Sequence, residues 1–178
     1  MSKKRVVIAS VLKPVNDTRM YKKIGVSLAH TQQYTVNIIG FQANAHSNDS
    51  NIHFFGIFNF KRLSWARLFS GKKFYATLKN QNPDLLIVST HELLWPSVLY
   101  KKKYGCKLIY DVHENHFRNI LYTNSFPLLI RPILAVWVRA KEYVLSRYID
   151  HFLLAEKYYK NEISFAKSKQ TIIENKYK

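Results

Sequence analysis

One cysteine, Cys106, stands in 178 residues, so no intrachain disulfide framework is available and the chain suits a reducing compartment. Glycine is nearly as scarce, with five, and neither a G-x-G-x-x-G turn nor a G-x-x-x-x-G-K-[ST] loop occurs, which argues against a glycine-built dinucleotide or P-loop cradle. H-E-x-x-H and zinc-type Cys/His spacings are lacking too. A site built on His113 and His116 would need two more ligands that the sequence does not indicate, so no metal and no cofactor are expected. No apolar run approaches the roughly 18 residues of a transmembrane helix. Acidic residues are few, 11 against 28 Lys and Arg, a net charge of +17. Such a field attracts nucleic acid, an anionic membrane surface or phosphorylated ligands without choosing among them.

What is present reads as one domain over residues 1–178, with 47% hydrophobic residues, enough for a real core. The start superficially resembles a signal peptide, but its apolar run Val6 to Leu12 is short and lacks a small-x-small exit. It reads better as a first strand, Arg5 to Val11, whose unbroken β-branched character asks for cover on both faces. Asn16, Asp17 and Thr18 offer N-caps to a helix with apolar positions Met20, Ile24 and Leu28. A strand over Thr35 to Phe41, a polar loop and a short Phe-rich strand, Ile52 to Phe58, follow. Ser64 to Asn80 suggests a helix broken near Gly71 and ended at Asn82-Pro83. Asp84 to Ser89 is another buried strand, Leu94 to Tyr104 a helix closed by Gly105, and Lys107 onward a further strand. Helix-forming sequence through Tyr148, a strand Ile149 to Leu154, a helix Ala155 to Phe165 and an edge strand Thr171 to Ile173 complete the chain. Strand, polar loop and helix in repetition predict an α/β fold: a Rossmann-like doubly wound parallel sheet with helices on both faces.

Chemistry-bearing residues gather where the strands end. KLIYDVHE, Lys107 to Glu114, carries a strand into Asp111, His113 and Glu114, and the strand before it delivers His91 and Glu92 to the same edge. In open α/β sheets ligands bind at that edge. Neighbouring parallel strands lie about 4.8 Å apart, so the two His-Glu doublets are expected to face one cleft, with Asp17 and Arg19 on its rim. The opposite reading is that one doublet caps a helix and the other is solvated. A mixed-charge cleft of this kind suits hydroxyl-rich or phosphorylated substrates.

Taken in order, RVVIASVLKPVNDTRMYKKIGVSLA, NPDLLIVSTHE, KLIYDVHE and the closing TIIEN resemble the N-terminal domain of GT-B glycosyltransferases of the glycosyltransferase-4-like kind. The resemblance spans nearly the whole chain, and its specificity lies in the ordered set. It implies one half of a GT-B fold, with an absent C-terminal domain that binds a nucleotide-sugar donor as co-substrate. It further implies a retaining transfer to a glycan or lipid-linked acceptor, and a 178-residue chain that does not turn over alone. His113 then matches the histidine near the donor sugar and is the expected catalytic residue. His91, Glu92, Asp111, Glu114, Asp17 and Arg19 are expected to bind substrate, and Asn175 matches the asparagine leading into the second domain. Two departures stand out: Lys13-Pro14-Val15-Asn16 replaces the glycine pair that many relatives place after the first strand, and Asn175 is followed by Lys176-Tyr177-Lys178 rather than glycine.

The apolar segment Phe126 to Val138, flanked by Arg118, Arg131, Arg139 and Lys141, reads either as a core or interdomain helix or as an interfacial element reaching a lipid-linked acceptor. Lys22-Lys23, Lys72-Lys73 and Lys101-Lys102-Lys103 extend the cationic surface and fit a cytoplasmic protein, free or peripheral on the inner face of a membrane. The competing reading is a basic nucleic-acid-binding or non-catalytic interaction domain, since Lys72-Lys73-Phe74-Tyr75 and Lys157-Tyr158-Tyr159-Lys160 interleave cations with aromatics. Against nucleic acid stands the carboxylate density at the expected cleft.

Overall fold

A computed structural model describes residues 3–47, 49–61, 64–124, 126–166 and 169–175. Lys176 to Lys178, on which the hinge expectation bears, lie outside the described residues, as do the side chains of Trp65 and Leu68. The strands are β1 (Lys4–Pro14), β2 (Tyr34–Phe41), β3 (Ile52–Phe58), β4 (Leu85–Val88), β5 (Lys107–Val112), β6 (His151–Leu154) and β7 (Gln170–Ile172). All pair in parallel in the order β3-β2-β1-β4-β5-β6-β7. This is the doubly wound arrangement, with the order reversing between β1 and β4.

The apolar sequence of β1 over Val6 to Ala9 and at Val11 is explained by its position at that centre. Val7, Ala9 and Val11 enter one core while Val6 and Ile8 enter the other, all fully buried. The first core packs under α3 (Ser70–Gln81), α4 (His91–Tyr104) and α6 (Arg131–Ser146); the second packs under the helix of residues 18–30, α1. Each large apolar side chain so covered contributes about 1.5–3 kcal/mol relative to exposure.

Helix α1 departs most from a regular pattern. Thr18–Gly25 is π-helical and Val26–His30 α-helical. Asp17 caps it, its Oδ1 accepting from the backbone N–H of Arg19 (3.0 Å) and Met20 (3.1 Å). The buried residues Arg19, Ile24 and Ala29 recur at five-residue spacing, so the core contact falls on Ala29, and Leu28, expected inward from four-residue spacing, is only partly buried. π-turns hold one residue more than α-turns and gather at functional sites. Upstream, β1 uses five steps from Ala9 to Pro14 where β2 uses two from Ile39 to Phe41. The detour crosses so close to β2 that a Cβ on Gly40 would lie 2.7 Å from the Lys13 carbonyl oxygen. Glycine is therefore required on β2, and the detour places Asp17 and Arg19 at the edge of the sheet.

Several helix boundaries differ from expectation for local reasons. The break expected in the helical segment Ser64 to Asn80 lies at Phe69, between α2 (Trp65–Leu68) and α3. Gly71 is accommodated inside α3, where it abuts Pro96 of α4, a single helical glycine costing only about 1 kcal/mol. Helix α4 begins at His91, three residues before expectation, because Thr90 is extended and its Oγ1 accepts from the Val11 N–H at 3.2 Å. It closes at Gly105 with φ 80°, as a left-handed C-cap requires. Residues 155–165 form two short turns, α7 (Tyr159–Glu162) and a 3-10 turn (Ser164–Ala166), in place of one helix. After α5 (His116–Tyr122), the apolar segment becomes helical only at Arg131. A single stripe of α6, Ala135, Val138, Glu142 and Leu145, faces inward, while Leu129, Ile133, Val136 and Trp137 remain exposed.

Candidate active site

A groove of about 1850 Å³ opens over the carboxyl ends of β1, β4 and β5. It lies at the point where the strand order reverses, where ligands of doubly wound proteins bind. His91, Glu92, His113 and Glu114 all line it, so the two strand-end doublets share one cleft. Asp17, Arg19 and Asp111 do not line it; they lie behind His113.

The β5 end is held by a buried ionic cluster. Asp111 is fully buried, and its two oxygens receive Arg19 Nε (2.9 and 3.1 Å) and Arg19 Nη2 (2.7 Å). His113 Nε2 lies 2.5 Å from Asp111 Oδ2, so that nitrogen carries the proton it shares with the carboxylate. Burial raises the Asp111 pKa, but the hydrogen bonds and charges of His113 and Arg19 outweigh it and hold the carboxyl below its ordinary value. Arg19 Nη1 donates to the Ile173 carbonyl (2.5 Å) and to Asn175 Oδ1 (2.8 Å). One guanidinium therefore joins the loop after β1, the end of β5 and the segment after β7. Its planar fork suits a carboxylate and a carbonyl at once, which an ammonium does not. Glu114 is exposed, with Oε2 accepting from Asn119 Nδ2 at 2.6 Å.

The β4 end forms a second cluster. Glu92 Oε1 accepts from Arg67 Nε at 2.9 Å and is also paired with Arg67 Nη2. Lys141 Nζ lies 2.9 Å from His91 Nδ1, and because an ammonium only donates, Nδ1 is the acceptor and the proton of neutral His91 sits on Nε2. His116 meets His91 edge to face, with ring centroids 5.0 Å apart. Burial, aided by the Lys141, His116 and Arg67 charges and opposed by Glu92, lowers the His91 pKa to about 3. Burial likewise lowers Lys141 to about 8, although Glu92 and Glu142 pull it upward. For Glu92 burial acts upward, and His91 and Arg67 prevail, bringing it to about 2. At neutral pH the cluster holds two cations, one carboxylate and a neutral imidazole.

Arg67, Lys141 and His116 were not singled out from the sequence as parts of the cleft. Arg67 comes from α2 and Lys141 from α6, and only the folded sheet brings them beside Glu92 and His91. His116 alone had a local signal, lying three residues beyond His113 at the start of α5.

No family model matches the sequence, and no curated protein matches it. Among solved structures, the chain is similar to sucrose-phosphate synthase of Thermosynechococcus elongatus, with a TM-score of 0.65 at 10% identity over 97% of this chain and 48% of that one. It is similar also to the lipopolysaccharide outer core galactosyltransferase WaaB in its apo form, with a TM-score of 0.57 at 13% identity over 97% and 46%. Anabaena HepE, solved with UDP and glucose, gives a TM-score of 0.58 at 12% identity over 97% and 44%. The chain thus spans about half the length of these structures, and its fold is that of one half of a GT-B glycosyltransferase.

Proposed function

We propose that the chain is the acceptor-side half of a nucleotide-sugar-dependent, retaining glycosyltransferase that transfers a sugar to a glycan or lipid-linked acceptor. The observation that carries this reading is His113, on the groove floor with its side chain 7% exposed and Nε2 committed to the buried Asp111. The carboxylate fixes the orientation of the ring, leaving Nδ1 to hydrogen-bond the transferring sugar as charge develops. Glu92 and Glu114, on the same groove, orient hydroxyls. Asp111 and Arg19 act from behind, holding His113, and Asp17 sets the start of α1. The donor is contributed across the cleft by a second domain, and turnover requires both halves. In a two-domain protein, His113→Gln is expected to lower kcat by about 10²-fold or more with the melting temperature unchanged; undiminished transfer by the folded variant removes His113 from the reaction centre.

A lipid-linked acceptor is supported by the outer face of α6. Leu129 (87% exposed), just before the helix, and Ile133 (70%) and Val136 (59%) on it stand in solvent, with Arg147 at the far end of α6 and Lys102 and Lys103 at the end of α4 also exposed. No helix among the described residues is long and apolar enough to cross a membrane. Insertion of these side chains at the headgroup boundary, with cations toward anionic lipid, fits an interfacial helix. Co-sedimentation with vesicles is expected to require an anionic phospholipid, to weaken with salt and to be abolished by Leu129→Glu with Ile133→Glu. Equal partition of the wild type and the double variant would refute the seat.

A further inference from the structure

The three residues after β7, Ile173 to Asn175, are fastened to α1 by two of its side chains. Ile173 still belongs to the sheet, its N–H donating to the Leu154 carbonyl at 2.9 Å. Beyond it, Lys23 Nζ donates to the Glu174 carbonyl, and Arg19 Nη1 donates to the Ile173 carbonyl (2.5 Å) and to Asn175 Oδ1 (2.8 Å). Arg19 is 5% exposed, and its other nitrogens, Nε and Nη2, hold both oxygens of the fully buried Asp111. Asp111 Oδ2 in turn meets His113 Nε2. One plane of five N–H groups therefore has the exit of β7 on one edge and the anchor of the histidine on the other.

His113 is held in two separate ways. Its backbone carbonyl accepts from Tyr159 Oη at 3.3 Å, whereas its ring is held by Asp111. The first bond fixes where the loop after β5 runs, and the second fixes which way the imidazole faces in the groove. Only the second passes through Arg19. Asn175 is exposed and Glu174 half-buried, so the segment is the end of this chain of contacts that can be displaced without opening the core. A planar guanidinium does not follow a displaced carbonyl and amide while keeping both carboxylate oxygens. We propose that Asn175, with the Glu174 carbonyl, is a positioning element for His113: a segment seated on Arg19 and Lys23 holds the imidazole, and its displacement draws Arg19 from Asp111 and frees the ring. The proposal deepens the transferase reading and rests on it for the reaction that His113 serves, though not for the coupling. In an enzyme whose second domain follows this segment, movement of that domain would switch the histidine between held and free. Such coupling is reciprocal, so anchoring the ring also seats the segment.

Nitrogen-15 NMR of the 178-residue protein reads both ends, the His113 imidazole and the Asn175 side-chain amide. In the double variant Asn175→Ala with Lys23→Met, the His113 Nε2–H is expected to exchange with water about 5-fold faster or more, the lower range of ordinary coupling between sites. Backbone exchange at Tyr110 and Val112 of β5 is expected to stay at its wild-type rate. That contrast separates positioning from stability, since a general loosening of the sheet quickens the backbone as well as the ring. Reciprocally, His113→Gln is expected to shift the Asn175 amide resonance. Thr171→Ala removes a contact with His151 (2.8 Å) on β7 itself but lies outside the path from Asn175 to His113, and is expected to leave the ring unchanged. Unchanged ring exchange in the double variant overturns the proposal and leaves Arg19 a structural tie. Equal acceleration by Thr171→Ala, or matching acceleration at Tyr110 and Val112, overturns it too. The transferase reading fails by a different result: undiminished transfer by His113→Gln removes the histidine from the reaction and leaves the coupling standing, whereas unchanged ring exchange removes the coupling and leaves the role of His113 standing.

Discussion

Arg19→Met is expected to destabilise the fold by about 3–5 kcal/mol, the usual cost of leaving one member of a buried ion pair without its partner. Asp111 would keep only His113, and the Ile173 carbonyl and Asn175 would lose their shared donor. Urea titration reads the loss directly. Arg19→Lys is expected to recover little of it, because one ammonium does not span two carboxylate oxygens, a carbonyl and an amide. The informative comparison is Arg19→Met with Asp111→Leu. Replacing both charges by apolar groups is expected to restore much of the stability while leaving His113 unanchored, so that a two-domain enzyme carrying the pair is stable yet transfers slowly. Transfer at the wild-type rate by that double variant would show that the buried pair serves stability alone.

Acid is expected to unfold the protein from the β4 end. The imidazole of His91 is neutral in the fold down to about pH 3, whereas in the unfolded chain it protonates near its ordinary value of 6.5. The unfolded state therefore binds more protons between those values, and stability falls as pH drops from 6.5 toward 3. The slope approaches about 1.4 kcal/mol per pH unit. Below 4.5 Glu92 adds to the loss, since its folded pKa of about 2 lies under its ordinary one; its contribution is complete above 4.5 and declines toward 2. Denaturant titrations at successive pH values check this. His91→Gln is expected to flatten the decline between 6.5 and 4.5, and an unflattened curve would assign the acid sensitivity elsewhere. Lys141 loses its proton near pH 8 in the fold and near 10.5 when unfolded, so the unfolded chain binds more protons and stability rises with pH across that interval.

The sheet was legible because its strands are written as continuous apolar runs. Val6 to Ala9, Leu85 to Val88 and Leu108 to Tyr110 carry no polar residue, as strands packed on both faces require, and a polar residue within them would have been costly. The strand-end doublets were legible for the same reason, since a run that stops at His91-Glu92 or at His113-Glu114 announces an edge. What escaped was anything that depends on pairing across the chain. Asp111 reads like an edge carboxylate, yet 92 residues earlier Arg19 supplies the charge that permits its burial. Lys141 reads as one cation of a basic helix, and only the packing of α6 against α4 places it on His91. The apolar segment Phe126 to Val138 left a core helix and an interfacial element both open, and the fold divides it: Ala135 and Val138 are buried while Leu129, Ile133 and Val136 lie in solvent.

The π-helical start of α1 bears on how chains of this kind can diverge. Removing any one residue between Thr18 and Gly25 would let the turn relax to an α-helix and rotate what precedes the deletion by about 100°. Arg19 would leave Asp111 even though Asp17, KLIYDVHE and every strand were spelled as before. Two sequences with identical motifs and a one-residue difference in this turn would differ in whether the buried carboxylate behind the histidine keeps its guanidinium. The length of the turn is then the inherited quantity, and an alignment that absorbs the gap silently would hide it.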